Sequence, residues 1–228
     1  MPEQVSRGFP LFPLGIVALP TESVPLHVFE DRYRRMIEHC LRAEPGSPEG
    51  QFGIVWLSDE ELKQVGCACA IERVVERLDD GRLNIIARGM RPFRLLERQE
   101  DLPYPAGVVE FLEDESAERG ASEDAGQGDG DLVEEDVAGE SARELYRELV
   151  EQATDRQLAE PELQAMSAYE MAGTVEFGAD AKQELLELRS ERARLRLLAL
   201  LLRAAIKRLE LIDRAQTRAL SNGKVRFG

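Results

Sequence analysis

Only a few residues in this chain could carry chemistry. There are three cysteines, Cys40, Cys67 and Cys69, and two histidines, His27 and His39. On a strand, Cys67-Ala68-Cys69 would send both thiols to one face, which is half of a zinc site. The other half, a C-x2-C or H-x3–5-H partner, is missing, and His39-Cys40 is the one further donor pair. Small buried apolar residues are the simpler reading of these thiols. Four lysines are present, Lys63, Lys182, Lys207 and Lys224, none in a serine–lysine motif. Lys182 and Lys207 fall among charged neighbours on expected helices and read as solvated. No G-x-S-x-G elbow and no Walker A loop occur. Gly126-Gln127-Gly128-Asp129-Gly130 sits among acids that would repel a phosphate, and Asp129-Gly130-Asp131 lacks the spacing of a calcium loop. The carboxylate pairs Glu60-Glu61 and Asp79-Asp80 have no apolar frame to raise a pKa. The sequence therefore names no catalytic, cofactor-binding or metal-binding residue.

The elements that would position a site fall into three blocks. Residues 8–112 carry short apolar runs bounded by turn signals: Ile16–Leu19, Phe52–Leu57, Ala68–Val75, Leu83–Ala87, Pro92–Leu96 and Val108–Leu112. Asp80-Gly81 predicts a hairpin with a tight primed turn. This spacing predicts a β-barrel or sandwich. One helix interrupts it over Phe29–Leu41, with Phe29, Tyr33, Met36, Ile37 and Leu41 on one face. Residues 113–140 hold twelve acids against one base and predict a disordered linker. Residues 141–213 are rich in Leu, Ala, Glu and Arg and predict a helical bundle. It opens with a capping box at Ser141-Ala142-Arg143-Glu144. Pro161 starts a second helix carrying Leu163, Met166 and Tyr169. A short third helix opens at Asp180, and a long final one runs from Glu191 to about Asp213. Its wide apolar stripe suits core packing or a dimer seam. Residues 214–228 read as a loose tail.

The chain has 228 residues and a formal charge of −15, from 44 acids and 29 bases. That sign disfavours nucleic acid and anionic membranes. The linker alone carries −11, leaving −4 for the rest, so the argument against RNA is weaker than the total implies. The longest apolar run, Leu197–Leu202, is far short of a membrane span, and the N-terminus has no signal pattern. A soluble cytoplasmic protein, monomeric or dimeric, is expected.

An ordered set of motifs carries a resemblance. Phe9-Pro10-Leu11-Phe12-Pro13-Leu14-Gly15 leads through Leu19-Pro20 to Pro25-Leu26-His27-Val28-Phe29-Glu30-Asp31-Arg32-Tyr33. Then come Phe52-Gly53-Ile54-Val55, Val65-Gly66 with Ile71, Asp80-Gly81-Arg82, Gly89-x-Arg91-x-Phe93, and Lys182-Gln183-Glu184-Leu185-Leu186 with Arg194-Leu195. The set resembles the amino-terminal, substrate-binding domain of the Lon protease family. Cys67 stands where that family usually has Thr, and Asp31 where Pro is common. The resemblance implies an α+β fold, a PUA-like β-barrel followed by an α-helical bundle with one long final helix. It also implies a binding module without the family's ATPase and peptidase parts, for which 228 residues leave no room. Its partners would be unfolded or degron-bearing polypeptides, and a protease or chaperone. RNA binding, as in other barrels of this type, is the alternative, and a cryptic hydrolase is the last. Phe12, Leu14, Leu19, Leu26 and Phe29 are expected in the core, and Pro13, Pro20 and Pro25 at turns. Gly66, Gly89 and Arg91 complete the structural signature, with Glu30 expected to pair with Arg91. Arg32, Tyr33 and Trp56 are the candidate peptide contacts.

Overall fold

A computed structural model describes residues 5–44, 46–59, 61–115, 130–154 and 156–222. Residues 130–139, 213 and 216–222 are described as backbone only. Seven strands and six helices follow in the order β1 (Val5–Leu14), β2 (Ser23–Val28), α1 (Asp31–Arg42), β3 (Gln51–Ser58), β4 (Glu61–Leu62), β5 (Val65–Arg77), β6 (Leu83–Gln99), β7 (Ala106–Phe111), α2 (Gly130–Ala153), α3 (Glu160–Ala165), α4 (Ala168–Ala172), α5 (Ala179–Glu187) and α6 (Glu191–Asn222). The chain is α+β. It divides into two compact units, Met1–Ala121 with Tyr169–Glu191, and Ser122–Ala168 with Arg192–Gly228.

In the first unit the strands pair in the order β1-β7-β6-β5-β3, and β3 returns to β1 through a parallel register, Leu11 opposite Gly53 to Leu14 opposite Trp56. This closes the ring, which removes the edges an open sheet would expose. Phe9, Leu11, Val55, Ala68, Phe93, Val109 and Phe111 form a buried cluster inside the unit. Phe9 meets Phe93 and Phe111 edge-on at 5.5 Å, the favoured aromatic geometry. The register of β1 slips between Ser6 and Phe9. Gly8 sits there at φ +66°, and its N–H is taken by Gln99 Oε1 at 2.7 Å.

Strand β2 lies off the ring and, among the described residues, pairs only with β6. Its alternate residues Val24, Leu26 and Val28 are buried and the others exposed. Pro25, on this edge, supplies no N–H to a further strand. The β5–β6 hairpin forms where Asp80-Gly81 predicts it, with a longer turn. Gly81 N–H bonds Leu78 O and Leu78 N–H bonds Arg82 O, both at 2.9 Å, with Gly81 at φ +85°. That is a type I turn followed by a left-handed glycine rather than a two-residue primed turn.

Several expectations change. Ile16–Leu19 is a loop, though Val17, Ala18 and Leu19 are buried. The first strand is instead the proline-bearing Val5–Leu14. Helix α1 starts at Asp31 and buries Tyr33, Met36, Ile37 and Cys40. Phe29 lies before it, 59% exposed and stacked on His27, because the chain leaves β2 with that side chain outward. Leu14 is only half-buried, whereas Phe12, Leu19 and Leu26 are buried. Ser141 lies inside α2, so it caps nothing; Arg203 donates to its Oγ at 3.1 Å. The segment expected as one helix from Pro161 to Tyr169 is two, α3 and α4. Helix α6 runs on through 214–222, the start of the expected tail. Of the acidic stretch, 116–129 lies outside the described residues, and α2 begins at Gly130.

The Lys182 reading is overturned. Lys182 is 8% exposed, and its Nζ meets Glu22 Oε1 at 2.6 Å. Glu22 Oε2 in turn accepts the Leu19 N–H at 3.0 Å. Its neighbour Gln183, also buried, donates to Val65 O at 3.1 Å and to Glu187 Oε1 at 2.7 Å. These bonds join α5 to β5 and to the loop before β2, within the first unit. In the second unit α2, α3 and α6 bury Ala142, Tyr146, Leu149, Leu163, Leu198, Leu202 and Ile206. Arg147 of α2 pairs with Glu160 of α3.

Candidate functional site

All three cysteines are buried and free. Among the described residues no group of three His, Cys, Asp or Glu side chains is placed to hold a metal. Burial pushes the Cys40 thiol up to about 12, and pushes Cys67 well above the usual thiol range, with Cys69 beside it adding to the shift. The thiolate is the reactive form, so these groups suit packing. Alkylation with iodoacetamide at pH 8 is expected to leave all three unmodified in the folded protein and to label all three in denaturant. For Cys40 the folded pKa lies above the unfolded one, so the stability that thiol contributes is complete below about pH 8.5 and is lost as pH rises toward about 12.

One concave feature of the first unit is a cleft of about 760 Å³. One wall is the entry to α1, with Glu30, Arg32 and Tyr33. The floor is Leu11 and Pro13 of β1. Leu57 and Leu62 of β3 and β4 form the second wall. The third is the β6–β7 connection, Arg98 to Ala106, including Leu102, Pro103, Tyr104 and Pro105. Leu57 and Leu102 are 41% and 38% exposed, so their apolar surface faces solvent. The connection is tied to the floor where Leu11 N–H donates to Pro105 O at 2.8 Å.

The tyrosines are held by their rings. Tyr33 stacks on Phe12 with centroids 4.2 Å apart, and the Arg32 guanidinium lies 4.6 Å from its ring centre. Tyr104 packs beside His39 at 5.9 Å. Burial raises both phenol pKa values; for Tyr33, Arg32 opposes the rise and Glu30 adds to it. Both hydroxyls therefore stay protonated at neutral pH. Neither has a hydrogen-bond partner among the described residues. Around the rim, Arg32 pairs with Glu30 at 2.8 Å, while Arg98 and Glu100 make no ion pair among the described residues. The cleft can thus take an apolar chain and offer it hydrogen bonds, but it presents no nucleophile–base pair.

Of the sequence candidates, the structure places Arg32 and Tyr33 together at this cleft. Trp56 precedes Leu57 on β3, does not line the cleft, and has Lys63 Nζ 5.7 Å from its ring centre. The expected Glu30–Arg91 pair is absent. Glu30 takes Arg32, while Arg91 lies 3.6 Å from the centre of the Phe111 ring, where burial lowers its pKa against the pull of Glu113. The signature glycines have steric reasons. A Cβ on Gly66 would stand 2.6 Å from Ile54 O, and one on Gly89 2.0 Å from Leu19 O. Sequence reasoning missed Leu57, Leu62, Leu102 and Tyr104. The one signal was Leu102-Pro103-Tyr104-Pro105, an apolar run stiffened by proline just where a polar loop is the norm.

A family model for the ATP-dependent protease La (LON) substrate-binding domain matches residues 8–204. The chain is similar to the crystal structure of a Lon N-terminal domain protein from Xanthomonas campestris, at 26% identity and TM-score 0.56, over 83% of this chain and 95% of that one. It shares the fold of the N-terminal domain of Mycobacterium avium complex Lon protease, at 20% identity and TM-score 0.57, over 85% and 97%. No described helix is long and apolar enough to cross a membrane. With the sequence motifs seated in a closed strand ring and the family match spanning most of its length, this chain belongs to the Lon substrate-binding domain family.

Proposed function

We propose that this protein is a non-catalytic recognition module that holds unfolded or degron-bearing polypeptide in the cleft beside α1. In this reading it serves a protease or chaperone that supplies the chemistry. The observation that carries it is the cleft itself. Exposed Leu57 and Leu102 face a floor of Leu11 and Pro13, with hydroxyl donors and charges of both signs at the rim. Apolar walls with a few polar groups are what ligand sites of this size present. Folded proteins bury their matching surface, so an unfolded segment is the natural occupant.

The test is fluorescence anisotropy with a labelled, reduced and carboxymethylated model protein. The parent chain is expected to bind it. Leu57→Asp and Leu102→Asp are each expected to weaken binding about tenfold, since each puts a charge against apolar ligand. Both sites are exposed, so melting temperature should barely move. Unchanged affinity in both variants would remove the cleft from this role.

A further inference from the structure

We propose that the outer face of α6 is a docking surface for an acidic amphipathic helix of a partner protein, separate from the cleft. This helix has two apolar faces. At about 3.6 residues per turn, Leu198, Leu202 and Ile206 share one face and are buried within the second unit. Leu200, Ala204 and Leu211 fall within an arc of about 40° on the far side, and Leu197, Leu201 and Ile212 widen it to about 120°. Leu200, Leu211 and Ile212 are 61%, 64% and 43% exposed. Single exposed leucines are common, but a row of them along about 22 Å of one helix marks an interaction surface.

The helix dictates the form of its occupant. Its backbone N–H and C=O groups are spent on its own turns, so an added strand would gain no main-chain hydrogen bonds here. Side-chain packing is what remains. A second helix supplies it, with its side chains seated between the leucines beside the small Ala204. Charge decides the rest. Residues 196–212 carry four bases, Arg196, Arg203, Lys207 and Arg208, against one acid, Glu210. Glu210 is tied to Arg214 at 3.1 Å. By the same spacing Lys207 borders the apolar arc and Arg208 lies within it; both are exposed. A matching partner therefore offers apolar side chains on one face and Asp or Glu on its flanks. A second copy of this chain does not, because it brings the same bases to the face. An anionic bilayer suits a basic, apolar helix taken alone, but this chain carries −15 in total and is repelled by such a surface.

The experiment uses fluorescence polarisation on the full chain with two labelled peptides of three heptads. One repeats Leu-Gln-Ala-Leu-Glu-Ala-Glu; the other has lysine in place of every glutamate. The acidic peptide is expected to bind about tenfold more tightly, with the difference shrinking at high salt. Leu200→Asp and Leu211→Asp are each expected to weaken it about tenfold. Reversing two charges together, Lys207→Glu with Arg208→Glu, is expected to exchange the preference, so that the lysine peptide binds more tightly. All four positions are exposed, so melting temperature should barely move. Equal affinity for the two peptides, a preference that survives the charge reversal, or no response to either aspartate overturns the proposal. Leu57→Asp should leave the acidic peptide's affinity unchanged; a drop there would put the peptide in the cleft and overturn it too. Light scattering that finds the parent chain dimeric and Leu211→Asp monomeric assigns the face to a second copy. Sedimentation with phosphatidylserine vesicles that carries down the parent chain but not Leu200→Asp assigns it to a membrane. Either result removes the acidic helix as the occupant.

Discussion

Replacing Gly89 with alanine is expected to lower stability by more than about 3 kcal/mol, or to abolish folding. The added Cβ would stand 2.0 Å from Leu19 O, 2.9 Å from Leu19 C and 3.2 Å from Cys67 Sγ. Two of those three contacts are backbone, and backbone cannot swing aside as a side chain does. Nor can the loop retreat. Thr21 N–H donates to Gly89 O and Gly89 N–H donates to Glu22 O, both at 2.8 Å. Moving Leu19 away breaks these bonds and opens the buried seat of Leu19, which is 0% exposed. Gly15→Ala is the control, because a Cβ there meets nothing within 4 Å. Urea unfolding followed by circular dichroism would measure both. A Gly89→Ala loss below about 1 kcal/mol would show that the loop yields in a way the bonding pattern does not suggest.

The second large effect is expected at Lys182. The ion pair with Glu22 has side-chain exposures of 10% and 13%. Removing one partner leaves a buried charge without compensation, which costs about 3–5 kcal/mol. Lys182→Met is expected near the lower end, because Glu22 keeps the Leu19 N–H as a partner. Glu22→Gln keeps a single acceptor oxygen, so its NH2 would face either the Leu19 N–H or the Lys182 ammonium, and its loss should be at least as large. The double variant should fall short of the sum of the single losses by about 1–3 kcal/mol, the range for residues in one network. Additive losses would mean that the two side chains act independently. Because Glu22 also frames the Gly89 loop, both substitutions strike the same junction from opposite sides.

That junction shows where sequence reasoning runs out. Lys182 sits between Ala181 and Gln183 in a helix studded with acids, and local composition makes it a surface residue. Its burial depends on Glu22, 160 positions away. No periodicity within α5 carries that information. The same holds for Phe29. It reads as the first apolar residue of a helical stripe, yet the helix begins two residues later and the ring is left outside. Arg91 and Glu30 share a motif without sharing a contact, because co-occurrence in sequence does not specify distance.

What the sequence by itself determined is local and additive. Strands β3, β5, β6 and β7 show in runs of apolar residues between turn signals. The hairpin shows in Asp80-Gly81, since few residues adopt positive φ. The buried face of α1 shows in its 3.6-residue spacing, and the family shows in ordered motifs. Each depends on residues that are neighbours in the chain. Closure of the ring, the burial of Lys182 and the cleft were decided only by the tertiary structure. The cleft takes β1, α1, β3, β4 and the β6–β7 connection together, segments spread from Leu11 to Ala106. Its two tyrosine rings are held there by packing, Tyr33 on Phe12 and Tyr104 beside His39. That property belongs to the packing of several segments around one space, and no single segment contains it.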